Sequence, residues 1–146
     1  MRYNNRIILF LYMSQYFSAL IAVYVSMLIM DGIWLSSMMK PFYGKYIGHL
    51  LSGSLNFGAA ATFYVLYGVG ILVLAIMPVL INNGSLAQAF VLGAFLGLVA
   101  YGTYDLTNHA TLKDWKLMVT VVDMLWGALL TGVAAAIGVA AARYFA

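Results

Sequence analysis

Residues 57–106 read FGAAATFYVLYGVGILVLAIMPVLINNGSLAQAFVLGAFLGLVAYGTYDL, two long apolar runs parted by Asn82-Asn83-Gly84-Ser85. A helix needs about 20 apolar residues to cross the hydrocarbon of a bilayer, and each run supplies that length. The four residues between them are types that tolerate left-handed backbone and make tight turns. The stretch predicts two membrane helices, over 57–81 and 86–108, lying antiparallel as neighbours.

Working outward, two more runs are as apolar. Residues 7–39 carry Asp31 as their only charge, and residues 117–142 carry only Asp123. Arg2 and Arg6 before an apolar run mimic a secretory signal, but the run continues past the short core of such signals, so it reads as a retained first helix. The predicted fold is all-α, an integral membrane antiparallel four-helix bundle forming a single domain over 1–146.

Composition agrees. The 146 residues are 65% hydrophobic and only 8% charged, with mean hydropathy of +0.98, whereas soluble domains are about a quarter charged. The partner implied is the lipid bilayer. There is no cysteine, which excludes disulfides, thiolate metal sites and cysteine nucleophiles. The net charge of +3 is dispersed over loops and termini, with no basic run of the kind that binds nucleic acid.

Against that background three aspartates stand out. Asp31, Asp105 and Asp123 lie inside or at the ends of the apolar runs, and no lysine or arginine shares those runs with them. An acid at the centre of a membrane helix costs about 2.5–3.5 kcal/mol on insertion scales, so it is a functional-site hypothesis by default. With four crossings, the connections at 41–49 and 109–116 emerge on one membrane face. All three acids fall at similar depth toward that face. Lys40, Lys45, Lys113 and Lys116 lie there, against Arg2, Arg6 and Arg143 on the other, a balance that leaves the orientation open. Lysine stems long enough to snorkel offer one route to neutralising the acids; protonation on burial is the other.

Helical spacing sharpens the cluster. Tyr101, Tyr104, Asp105 and Asn108 fall at i, i+3, i+4 and i+7 and predict an inward polar stripe. Thr120, Asp123 and Trp126 line a face of the last helix, with Gly127 allowing close approach. Asn56, Tyr64 and Tyr67 on the second helix place donors within reach of an acid. Asp31 and Trp34 repeat the Asp-x-x-Trp spacing of Asp123 and Trp126. With only two fixed residues, that echo reads more readily as chance, or as interfacial tryptophans, than as a motif. His49 and His109 sit in connections, where solvated histidine is the commoner state. No ligand pair has diagnostic metal spacing, so no metal site is predicted, and no cofactor is indicated. Gly93 and Gly97, together with Ser18, Ala22 and Ser26, form small-residue faces. These read as packing within the bundle, with a homodimer or another membrane protein as the sharper alternative.

The stretch Tyr101-Gly102-Thr103-Tyr104-Asp105-Leu106-Thr107-Asn108, followed by Ala110-Thr111-Leu112, Trp115, Val122-Asp123 and Trp126-Gly127, resembles a family of small bacterial membrane proteins, domain of unknown function 2177. Asp31 with Ile33-Trp34-Leu35, then Phe42-Tyr43 and Gly48-His49-Leu50-Leu51, resembles its first helix and loop. The resemblance covers the chain from about Leu28 onward and implies a four-helix protein of the bacterial inner membrane, without implying an activity. His109 and Lys116 depart from the pattern, which has an apolar residue and a proline there. Asp31, His49, Tyr104, Asp105, Asn108, Trp115, Asp123 and Trp126 fit it.

The candidate ligand- or proton-binding residues are therefore Asp31, Trp34, His49, Tyr101, Tyr104, Asp105, Asn108, Asp123 and Trp126. The leading expectation is binding or translocation of a small polar solute, cation or proton. One alternative is a membrane-embedded enzyme acting on a lipid, with paired carboxylates as acid and base. The other is a non-catalytic subunit or assembly factor whose polar interior fixes the fold.

Overall fold

A computed structural model describes the backbone of residues 5–146 and the side chains from Met13 onward. Arg2 and the side chain of Arg6 lie outside the described residues. The chain forms helix α1 (Asn5–Met38), a π turn (Met39–Tyr43), a short α2 (Gly44–Ile47) and a 3₁₀ turn (Gly48–Leu50). Next come α3 (Phe57–Ile71), a second π turn (Leu72–Ile76), α4 (Met77–Ile81), α5 (Leu86–Thr111) and α6 (Leu117–Tyr144). Four segments are long and apolar enough to span a membrane, with α3 and α4 forming one of them. No strand occurs among the described residues.

The sequence reading places a loop at 41–49, but the chain stays coiled to Leu50. Pro41 lies within the first π turn, and Pro78 comes two residues after the end of the second. Proline removes an N–H and crowds the preceding carbonyls, and a wider turn relieves both without ending the coil. The turn between α4 and α5 is as tight as expected. Its left-handed residue is Asn83, with φ of 50°, rather than Gly84. Gly84 is needed for space instead, because a Cβ there would strike the Gln88 side chain. That side chain folds back to accept from the Ser85 N–H at 2.7 Å, while Ser85 Oγ accepts from the Gln88 N–H, closing a capping box at the start of α5.

Helices α5 and α6 pair most extensively, α1 packs on α6, and the second π turn packs against α5. The α5–α6 contact depends on Gly93 and Gly97. A methyl on Gly93 would meet the Thr131 carbonyl at 2.6 Å, and one on Gly97 would overlap the Gly127 backbone. These glycines serve packing within the bundle, as the small-residue reading expects. The sealed core is apolar, with Val23, Met27, Ile71, Ile76, Leu130 and Val139 inaccessible. The outside is apolar too: Phe17 and Phe95 are each 67% exposed, which suits lipid and not water. Outward-facing hydroxyls bond their own helix, as Thr62 does to the Gly58 carbonyl (2.9 Å) and Thr103 to that of Val99 (2.8 Å). In hydrocarbon no water is there to satisfy them.

Candidate functional site

The buried polar side chains among the described residues are Ser26, Asp31, Asp105, Thr120, Asp123 and Thr131. All but Thr131, which lies at the middle of α6, occupy the half of the bundle nearer the connections after α1 and α5. Toward the other face, the interior of α6 continues as Ala134, Ala135, Val139 and Ala142, packed on Ile71, Ala75, Ile76 and Val79. From Thr131 to Arg143 this apolar layer is about 18 Å thick by helical rise.

Within it, two carboxylates are held by aromatic donors. Asp31 accepts from Tyr64 Oη through Oδ2 at 2.7 Å and from Trp126 Nε1 through Oδ1 at 3.1 Å. Asp123 accepts from the Tyr43 hydroxyl through Oδ1. Tyr43 in turn accepts from Trp34 Nε1 at 2.9 Å. None of these donors is a lysine or an arginine. The two Asp-x-x-Trp segments are thus joined crosswise, the tryptophan of each helix serving the aspartate of the other. The two segments, whose spacing alone reads as chance or interfacial anchoring, meet in the fold through these bonds.

Asp105 differs. It is fully inaccessible, and neither carboxyl oxygen has a hydrogen-bond partner. Its backbone carbonyl lies 3.5 Å from Thr120 Oγ1, which is bound by Trp115 Nε1 at 3.0 Å. Ile47 of α2 packs with Trp115 and Val119, with Phe42, Tyr43 and Tyr46 around them. The connection after α1 thereby packs on the start of α6.

The inward stripe on α5 holds in part. Asp105 continues the interior line of Gly93, Gly97 and Tyr101, whose ring occupies the space left by Gly127. Tyr104 is 59% exposed and stands edge-on to Trp115. Successive helical residues are about 100° apart, so Tyr104 lies on the flank of the face that Asp105 centres. Asn108 is half-buried, while His49 and His109 are exposed. Asp31, Trp34, Asp123 and Trp126 come together; His49 does not join them. Among the described residues no three acid or histidine side chains converge as metal ligands.

A family model described as "Predicted membrane protein (DUF2177)" matches residues 16–140. The chain belongs to that family. No curated protein and no solved structure matches it. The matched region of this DUF2177 protein includes all three buried aspartates and Tyr43, the residue that sequence reasoning left out of the site. The available signal was the pair Phe42-Tyr43 in the family resemblance. Spacing alone had no means of bringing a residue beyond Pro41 back onto α6. Thr131, bonded to Tyr67 at 2.7 Å, was likewise unmarked in a helix rich in small residues.

Proposed function

We propose that this DUF2177 protein, in a bacterial inner membrane, binds a proton or small cation at Asp105 from one membrane face. The observation carrying this reading is the inaccessible carboxyl group whose two oxygens have no partner. A carboxylate taken out of water without compensation costs several kcal/mol, and hydrogen bonds from Tyr43, Tyr64 and Trp126 already serve the other two acids. Asp105 is left to be completed by something from outside the chain. The Asp105 side chain is fully inaccessible, which favours a proton or a bare cation over an organic solute. The apolar layer below favours one-sided binding over passage through a single bundle.

Asp31 and Asp123 have a different role in this reading. Asp31, bonded through both oxygens, and Asp123, bonded through one, sit between neutral aromatic donors and tie α1, α3 and α6 together. That observation favours the scaffold role of the subunit reading for these two residues, alongside ligand binding at Asp105. The lipid-enzyme reading asks for a lipid-open groove beside the acids. One apolar groove along α1 and α6 runs past Ala22, Val25 and Ser26 to Ile29 and Met30, and a second past Phe17, Ser18 and Ile21; no polar side chain of the aspartate cluster lines either.

Dicyclohexylcarbodiimide, which adds a protonated carboxyl across one of its C=N bonds in apolar surroundings, tests the proposal. Peptide mass spectrometry should find the adduct at Asp105, its yield falling as pH rises or as sodium, lithium or potassium is added. Asp105→Asn should abolish it. An Asp105 that stays unmodified, or whose modification ignores both pH and cations, would sink the reading.

A further inference from the structure

The opposite face of the bundle presents a second polar feature, independent of the aspartates. A cavity of about 340 Å³ is lined by Gln15 and Tyr16 of α1, Leu80 and Ile81 of α4, Asn83 of the turn and Arg143 of α6. Three separate parts of the chain converge there. Arg143 donates to the Gly84 carbonyl, which fastens the end of α6 to the turn between α4 and α5. A guanidinium has five N–H donors, so the bond to Gly84 leaves Arg143 with further donors at the wall of the cavity.

No acid of this chain answers that charge. The four acidic residues are Asp31, Asp105, Asp114 and Asp123, and all belong to the other half of the molecule. Arg143 therefore has no acidic side chain of this chain on its own face. Gln15 and Asn83 offer amide donors, and Tyr16 a hydroxyl. Leu80 and Ile81 form an apolar wall, and Ile81 is 66% exposed. The combination of an arginine, neutral donors and an apolar flank at a membrane boundary suits a phosphate ester attached to acyl chains. Guanidinium matches phosphate oxygens in a bidentate manner, and basic pockets between membrane helices hold lipid head groups.

We infer that the cavity formed by Gln15, Tyr16, Asn83 and Arg143 binds the phosphate of an anionic phospholipid, a site separate from the aspartate cluster and on the opposite membrane face.

Native mass spectrometry of the full chain, equilibrated with mixed phosphatidylglycerol and phosphatidylcholine, reads which lipid stays bound. The parent should retain phosphatidylglycerol in preference. Arg143→Gln should weaken that retention about tenfold, the loss expected for a charge-assisted hydrogen bond, and leave phosphatidylcholine unchanged. Gln15→Leu keeps the cation and removes an amide, so a smaller loss is expected. Tryptophan fluorescence, reporting the distant Trp34, Trp115 and Trp126, should match the parent in both variants. If Arg143→Gln fails that check, Gln15→Leu decides alone, and an unchanged lipid preference in it overturns the assignment. So does equal retention of both lipids by the parent. Glycerol 3-phosphate binding to the delipidated protein as tightly as phosphatidylglycerol would assign the site to a free phosphate ester and overturn the lipid.

Discussion

Trp34 of α1 and Trp126 of α6 stack with ring centroids 4.3 Å apart and planes 8° from parallel. The stack lies at the centre of an exchange. Trp126 reaches the aspartate three residues before Trp34, and Trp34 reaches, through Tyr43, the aspartate three residues before Trp126. Two helices are bound by one aromatic contact and two carboxylates, without an ion pair. In hydrocarbon this is an economical way to fix a helix pair, because each polar group is satisfied by another that also needed a partner.

Removing one indole N–H tests the exchange. Trp126→Phe leaves Asp31 Oδ1 without its donor while Tyr64 still serves Oδ2. We expect a loss of about 1–3 kcal/mol, the cost of a buried acceptor left unmatched. Trp34→Phe should cost less, since Tyr43 still donates to Asp123. A double-mutant cycle read by thermal unfolding in detergent should show coupling of about 0.5–1.5 kcal/mol between the two rings. Strict additivity would mean that the stack contributes nothing.

The buried acids should respond oppositely to an apolar replacement. Asp105→Leu removes a group with no partners, so stability should stay level or rise by about 1–3 kcal/mol. Asp31→Leu strands the Tyr64 hydroxyl and the Trp126 N–H, and stability should fall by a similar amount. Unfolding midpoints of the two variants, measured side by side, check the sign. Equal destabilisation would mean that Asp105 has structural partners after all.

The α5–α6 seam makes its own prediction. Gly97→Ala places a methyl against the Gly127 backbone, where no side chain can swing aside, and should cost about 1–3 kcal/mol as the helices part. Gly70→Ala meets nothing within 4 Å and should gain up to about 1 kcal/mol from the better helix former. Denaturation of the purified variants distinguishes the sites.

At the α4–α5 turn, Asn83 holds φ of 50°. Asn83→Gly should be tolerated, because glycine adopts that backbone freely. Asn83→Val should cost about 1–2 kcal/mol, since a β-branched residue resists it. The difference is readable as a shift in melting temperature between the two variants.

Much of this molecule was legible in the chain itself. Apolar runs of spanning length leave no alternative to helices, because backbone groups in lipid must bond within their own segment. Asn82-Asn83-Gly84-Ser85 is short enough to force α4 and α5 into neighbouring, antiparallel positions. The depth of Asp31, Asp105 and Asp123 followed from counting residues along those helices. Gly93 and Gly97, four apart, announced a close helix contact.

Which acid meets which donor was not legible, because helical spacing orders residues on one helix and says nothing of how helices are rotated against each other. Tyr104 and Asp105 are sequence neighbours, yet one faces outward and the other is sealed. The π turn at Pro41 bends the chain so that Tyr43 returns to Asp123, 80 positions away, a path with no periodic signature. The sequence by itself determined a four-helix membrane bundle with acids toward one face, since bilayer thickness and backbone hydrogen bonding dictate both. Only the tertiary structure decided that Asp31 and Asp123 are partnered and that Asp105 is not, because satisfaction of a buried carboxyl depends on atoms brought from other helices.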